Sequence, residues 1–129
     1  MKKRQTATLL LLLVVAGMLW AEPGDGQWLH KVPAKDRDRP NPFASDREAP
    51  AAGAKIFAEH CAACHGEDAE GKIGKHYRPN LRSDRVKQST PGELFWLLTN
   101  GSLKNGMPTW SRLPEAQRWQ LVTYLKSLP

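Results

Sequence analysis

Apolar residues recur at helical spacing in three stretches of this chain, and over no useful length do they alternate with period two. The first stretch, Ala51 to His60, is built of strong helix formers, with Gly53 and Phe57 four apart on one face. The second opens with Thr90 as N-cap, Pro91 at the first helical position and Glu93 to complete a capping box. Leu94, Phe95, Trp96, Leu97 and Leu98 make it apolar nearly all round, and Asn100-Gly101 ends it. The third starts at Pro114, with Glu115 in its first turn and Lys126 near its last, each the right sign for the helix dipole. Leu121, Tyr124, Leu125 and Leu128 share its apolar stripe, which Trp119 and Val122 widen. Residues 66–89, with Gly66, Gly71, Gly74 and Pro79, read as loop. The pattern predicts an all-α domain over residues 51–129, with three main helices and long connections.

Upstream the pattern changes twice. Lys2, Lys3 and Arg4 precede an uncharged apolar run from Ala7 to Leu19, and Ala21 leads into a polar stretch starting at Glu22. This is the layout of a secretory signal peptide over residues 1–21, and it predicts export. The apolar run is shorter than the ~20 residues a spanning helix needs. Leu19, however, is an imperfect residue at the usual small position before a cut. A retained anchor is therefore the alternative, and membrane association is expected only through such an uncleaved N-terminus. Residues 22–50 form a separate proline-rich segment holding Pro23, Pro33, Pro40, Pro42 and Pro50. So much proline excludes a long helix and predicts an extended or turn-rich segment. Its apolar residues Trp28, Val32 and Phe43 are expected to dock it on the domain.

The formal charge of +6 overstates the basicity of the mature chain, since losing Lys2, Lys3 and Arg4 halves it. No nucleic-acid partner is implied. Locally, Lys72, Lys75, Arg78, Arg82, Arg85 and Lys87 face only Asp84 between residues 72 and 87. That run is either a solvated face or a surface that steers an acidic partner.

The chemistry is concentrated in Cys61-Ala62-Ala63-Cys64-His65, which contains the only two cysteines of the 129 residues. A Cys-x-x-Cys-His run is the attachment signature of c-type haem. Two thiols three residues apart each add to a vinyl group on the porphyrin edge, and the next residue offers its imidazole to the iron. Other readings of the run are weaker. A thioredoxin-like pair needs a βαβ setting that the pattern lacks. A zinc site recruiting His60, His65 or His76 lacks the second half of its ligand pattern. A disulfide between near neighbours closes too small a loop to stabilise much. Cys61 and Cys64 are thus expected to carry one covalent haem c, with His65 as an axial ligand. Thioether attachment is normally completed outside the bacterial cytoplasm, so the cofactor agrees with export to the periplasm.

The second axial position falls to Met107, the single methionine left once residues 1–21 are removed. It lies in the loop between the second and third helices, where Pro108 is expected to stiffen the chain and Gly106 to give it room. Competing donors are His30, His60 and His76. With these residues in place, the chain resembles the class I cytochromes c, small single-haem electron carriers. The resemblance covers residues 51–128: Gly53 and Phe57, Cys61 to His65, Pro79-Asn80-Leu81, Met107-Pro108 and Tyr124-Leu125. It implies a fold of three main helices wrapped around one haem, with the first and last helices crossing closely at Gly53 and with Phe57 packed on Tyr124. It also implies that the Pro79 carbonyl accepts a hydrogen bond from His65 and that Leu81 packs on the haem face. The segment 22–50 lies outside it, and the partners of the haem propionates stay unassigned, with Trp96 and Trp110 as candidates.

His65 and Met107 together would leave the iron no vacant position, which predicts one-electron transfer between redox partner proteins, a donor and an acceptor, and no catalysis of its own. The alternatives are a haem enzyme or gas sensor with an open sixth position, and a cytochrome subunit of a membrane or dehydrogenase complex.

Overall fold

A computed structural model describes residues 27–129. The signal peptide expected over residues 1–21 lies outside the described residues. The described chain runs through a 3-10 turn at Gln27–Lys31, α1 (Ala34–Arg37), α2 (Ala49–His60), α3 (Ala62–His65), α4 (Asp84–Gln88), α5 (Pro91–Asn100), a second 3-10 turn at Leu103–Asn105, and α6 (Glu115–Ser127). Among the described residues, extended pairing is confined to two isolated bridges, Lys72 with Arg78 and Ser102 with Met107.

Among the described residues, the three longest helices are those the apolar pattern predicts. α2 starts two residues earlier than expected, with Pro50 inside its first turn, where a missing N–H removes no helical bond. The capping box of α5 is complete: Glu93 N donates to Thr90 Oγ1 at 3.1 Å, and Thr90 N donates to Glu93 Oε2 at 2.8 Å. Gly101 ends that helix at φ +67°. The reading of residues 66–89 as uninterrupted loop is corrected by α4. Five residues with one buried apolar side chain, Val86, are too few to leave a periodic signal. Tertiary contacts hold α4 instead, since Lys126 Nζ on α6 donates to the carbonyls of Lys87 and of Ser89, the latter at 2.9 Å.

α2 and α6 make the most extensive pairing in the fold. They approach so closely at Gly53 that a Cβ there would stand 2.1 Å from the carbonyl oxygen of Gln120. Phe57 and Tyr124 pack beside this crossing with ring centroids 5.3 Å apart. α5 lies on the other side of α6, where Phe95 stacks on Trp119 at 4.0 Å. Phe57, Leu121 and Val122 are the largest fully buried side chains, so the core sits where α2, α5 and α6 meet.

Residues 27–50 contain no long helix, as their prolines require, and are built of turns and short helical pieces. They dock on the domain as expected. Val32 is buried, and Trp28 and Phe43 pack against the core. α1 lies against the start of α5, with Thr90 Oγ1 donating to the Arg37 carbonyl at 2.7 Å and Arg37 Nε 3.0 Å from Glu93. A Cβ on Gly92 would be 2.0 Å from the Asp36 carbonyl oxygen. Further on, Arg39 places its guanidinium 4.6 Å from the Phe95 ring centroid, and Asn41 Nδ2 donates to Thr123 Oγ1 at 2.8 Å.

Candidate cofactor site

Cys61, Cys64, His65, Pro79, Leu81 and Met107, the site residues expected from the sequence, all line one cavity of about 260 Å3. It opens against the buried core. Phe57, Val86, Leu94, Leu98, Leu121 and Leu125, six of the ten residues of the buried apolar cluster, contribute to its wall. The core is therefore shared with whatever fills the cavity, and that occupant has to be largely apolar.

The attachment segment is positioned by the end of α2. Cys61 N donates to the Phe57 carbonyl at 2.8 Å, and His65 N to the Cys61 carbonyl at 2.9 Å, so α3 is a single turn continuing from α2. Gly66, at φ +84°, then turns the chain away. The two sulfurs are not joined to each other. Burial, and then the neighbouring Cys64, push the Cys61 thiol up to about 11. His65 reaches the carbonyl of Pro79 with Nδ1 at 3.2 Å. A carbonyl only accepts, so this bond requires the proton on Nδ1 and leaves Nε2 its lone pair. Burial holds the His65 pKa below the usual imidazole range; the Pro79 bond opposes this and the Arg78 guanidinium reinforces it. A neutral imidazole with a free lone pair is the form that binds a metal.

Pro79 is held in place by its own loop. Lys72 and Arg78 exchange backbone bonds of 3.0 and 2.8 Å, and Gly71 N donates to the His65 carbonyl at 2.7 Å. A Cβ on Gly71, at φ +78°, would be 2.3 Å from the Arg78 carbonyl oxygen, so only glycine suits that position. On the opposite side of the sequence, the Met107 loop is closed by reciprocal bonds between Ser102 and Met107, 2.9 and 3.1 Å, and tied to α5 by Trp110 N donating to the Leu98 carbonyl at 2.8 Å.

The expectation that Gly106 makes room is corrected. A Cβ there meets nothing within 4 Å, and what glycine supplies is the left-handed φ of +79°. Gly101 is the crowded position, where a Cβ would stand 2.7 Å from the Pro108 carbonyl. Of the two tryptophans considered, Trp110 lines the cavity and sits with its ring centroid 5.4 Å from that of His60, while Trp96 does not line it. The basic run also divides. Arg78 and Arg85 line the cavity, Arg82 Nη1 is 3.3 Å from Glu70, and Lys72 Nζ donates to the Ala63 carbonyl at 2.9 Å. The pattern of charges alone assigned none of these contacts. It also left Trp28, in the proline-rich segment, without any link to the cavity that it lines.

Paired thiols at one rim, an imidazole oriented by a carbonyl, a thioether in a pinned loop and an apolar interior together fit haem c. The comparisons with known proteins agree. The family model described as cytochrome c oxidase, cbb3-type, subunit III matches residues 48–125. The cbb3-type cytochrome c oxidase subunit FixP of Bradyrhizobium sp. (strain ORS 278) is 41% identical over 83 residues, covering 60% of this chain and 27% of the relative. Subunit CcoP of Rhodobacter capsulatus is 38% identical over 87 residues, covering 60% of this chain and 28% of the relative. The chain thus spans less than a third of the length of these curated relatives. Among solved structures, cytochrome cL from Methylophaga aminisulfidivorans superposes with a TM-score of 0.54 at 26% identity, over 66% of this chain and 56% of the other. Cytochrome cL from Hyphomicrobium denitrificans gives 0.50 at 24% identity, over 77% and 64%, a likeness of fold alone.

Proposed function

We propose a mechanism from the premise that this chain belongs to the cytochrome c oxidase, cbb3-type, subunit III family and is a haem c electron-transfer protein. Cys61 and Cys64 would hold the haem through thioethers, and His65 and Met107 would ligate its iron. Haem supplies reversible one-electron exchange between Fe(II) and Fe(III). The chain's own residues bind, orient and shield. The Pro79 carbonyl fixes the His65 ring and its tautomer through the 3.2 Å bond to Nδ1. The closed loop from Ser102 to Met107 presents a thioether, whose soft ligation favours the ferrous state. Leu81, Leu94, Leu98 and Leu121 keep the cavity dry, so little solvent has to reorganise when charge changes.

The single observation that carries this reading is the convergence of Cys61, Cys64 and His65 with Pro79 and Met107 on one cavity from three separate stretches of chain. With His65 and Met107 both bound to the iron, the protein would carry electrons and would offer no position for oxygen or peroxide. Its partners are other redox proteins, a donor and an acceptor, and residues 1–21 direct the chain to the periplasm. Among the described residues no helix is long and apolar enough to cross a membrane.

A second reading is supported by the relatives. FixP and CcoP are named as oxidase subunits, so this chain serves either as a free carrier or as a cytochrome component of a membrane complex. Expression of the full chain with a haem-attachment system tests the core of the proposal. A haem-stained band that survives denaturing electrophoresis, and a far-red charge-transfer band of methionine-ligated ferric haem, are expected. Haem lost on denaturation, or a five-coordinate spectrum that takes up carbon monoxide readily, would overturn it. Native size of the exported protein then separates carrier from complex subunit.

A further inference from the structure

We propose that Trp28, brought in by the proline-rich N-terminal segment, is a cofactor-contacting residue that walls one side of the haem cavity and excludes water from it. The inference rests on the haem reading above and adds a residue outside the part of the chain matched by the family model, which begins at residue 48.

Three observations lead there. Trp28 lines the same cavity as Cys61, Cys64, His65 and Met107. Its neighbour Leu29 lines a second cavity with Asp84, Arg85, Gln88, Ser89 and Glu93, and Arg85 lines both. Trp28 and Leu29 thus line two adjacent cavities that share Arg85, with the indole on the cofactor side. Finally, the segment that carries Trp28 is pinned along its length. Val32 is 5% exposed, Arg37 is bound to both Thr90 and Glu93, Arg39 lies over Phe95, and Asn41 reaches Thr123.

Ordering so many residues is costly in conformational entropy. Docking alone is already achieved downstream by Val32 and Phe43. Trp28 goes further, since besides packing against the core it lines the cavity that the occupant fills. An indole is the largest flat apolar side chain, suited to covering the edge of a planar macrocycle. Water held off that edge disfavours the ferric state, which carries the additional positive charge, and so raises the midpoint potential.

The test uses the full chain as an exported holoprotein, with Trp28→Ala, Trp28→Phe and, as a control on segment docking, Asn41→Ala. The readouts are the midpoint potential by spectroelectrochemistry and the thermal midpoint. Trp28→Ala is expected to shift the potential negative, and Trp28→Phe to restore most of that shift. Asn41→Ala is expected to lower the thermal midpoint with the potential unmoved. A Trp28→Ala potential equal to that of the parent, with a lowered thermal midpoint, would mean that the indole only fastens the segment, and would overturn the proposal. If Trp28→Ala yields no folded holoprotein, Trp28→Leu takes its place. An intermediate potential then supports the proposal, and an unmoved one overturns it. A parent chain that binds no haem would sink the underlying reading before any variant is made, which distinguishes that failure from this one.

Discussion

The backbone carbonyl oxygen of Gln120 stands 2.1 Å from where a Cβ on Gly53 would be. α2 and α6 are thus in contact through bare backbone, and the glycine is there for space. Glycine inside a helix is unfavourable by about 1 kcal/mol relative to alanine, so local propensity argues against it. Tyr124, whose Cβ would lie 2.7 Å away, and Phe57 close the crossing on one side.

Gly53→Ala is therefore expected to destabilise the holoprotein by about 1–3 kcal/mol, despite its better helix propensity, because the obstacle is backbone and cannot rotate aside. At about 4–8 °C per kcal/mol the loss is readable in a thermal melt. From the sequence, Gly53→Leu is expected to overpack the crossing and Gly53→Ala to be the milder change. The geometry makes both disruptive, with the leucine variant worse. An alanine variant that melts at or above the parent would place the close contact elsewhere.

The glycines of the Met107 loop separate space from backbone conformation. Gly106 is in open surroundings, so Gly106→Ala is expected to cost only the left-handed φ, about 1–2 kcal/mol, and to keep the methionine-ligated spectrum. Gly101→Ala meets the Pro108 carbonyl at 2.7 Å and also sits at φ +67°. It is expected to displace the loop and weaken the far-red charge-transfer band. Ferric spectra of the two variants, recorded side by side, check the contrast. Equal spectra would dissociate the loop's packing from ligation.

Much of this architecture was legible because the long helices carry their own punctuation. Thr90, Pro91 and Glu93 announce α5 residue by residue, and the capping box they imply is formed. The attachment signature is equally local, five consecutive residues with their chemistry fixed by spacing. What stayed hidden depends on distance in three dimensions. α4 is too short for periodicity and is held by Lys126 from α6. The sequence marks Gly101 as a helix end and Gly106 as a loop glycine, but only the path of Pro108 tells which one is crowded. The cavity-lining role of Trp28 depends on how the turn Gln27–Lys31 folds back onto the domain, a placement that no spacing rule encodes.

Thr90 joins two parts of the chain. Its hydroxyl accepts from Glu93 N and donates to the Arg37 carbonyl, so one side chain caps α5 and fastens the proline-rich segment. Thr90→Ala is expected to cost about 1–2 kcal/mol, and Thr90→Ser to recover most of it. Chemical denaturation of the three proteins decides the point. A serine variant as weak as alanine would assign the effect to the methyl group.

Six of the ten buried cluster residues face the cavity, so the core is incomplete without its occupant. Cys61→Ala combined with Cys64→Ala is expected to yield a chain that lacks cooperative melting and is cleaved rapidly by protease. Circular dichroism on heating and a timed proteolysis series provide the check. A sharp, cooperative transition without haem would show that the helices stand alone.

Met107 is proposed to hold the sixth position of the iron, and Met107→Ala probes that ligation. The measurement is the midpoint potential of the variant holoprotein, taken with its ferric spectrum. Axial-ligand identity spans roughly 0.8 V across haem proteins, and loss of the thioether is expected to lower the potential by on the order of a few tenths of a volt. The far-red charge-transfer band should vanish, and the iron should become open to cyanide or carbon monoxide. An unchanged potential and spectrum would mean that another side chain, such as His60 on the same cavity wall, ligates the iron, and would contradict the claim.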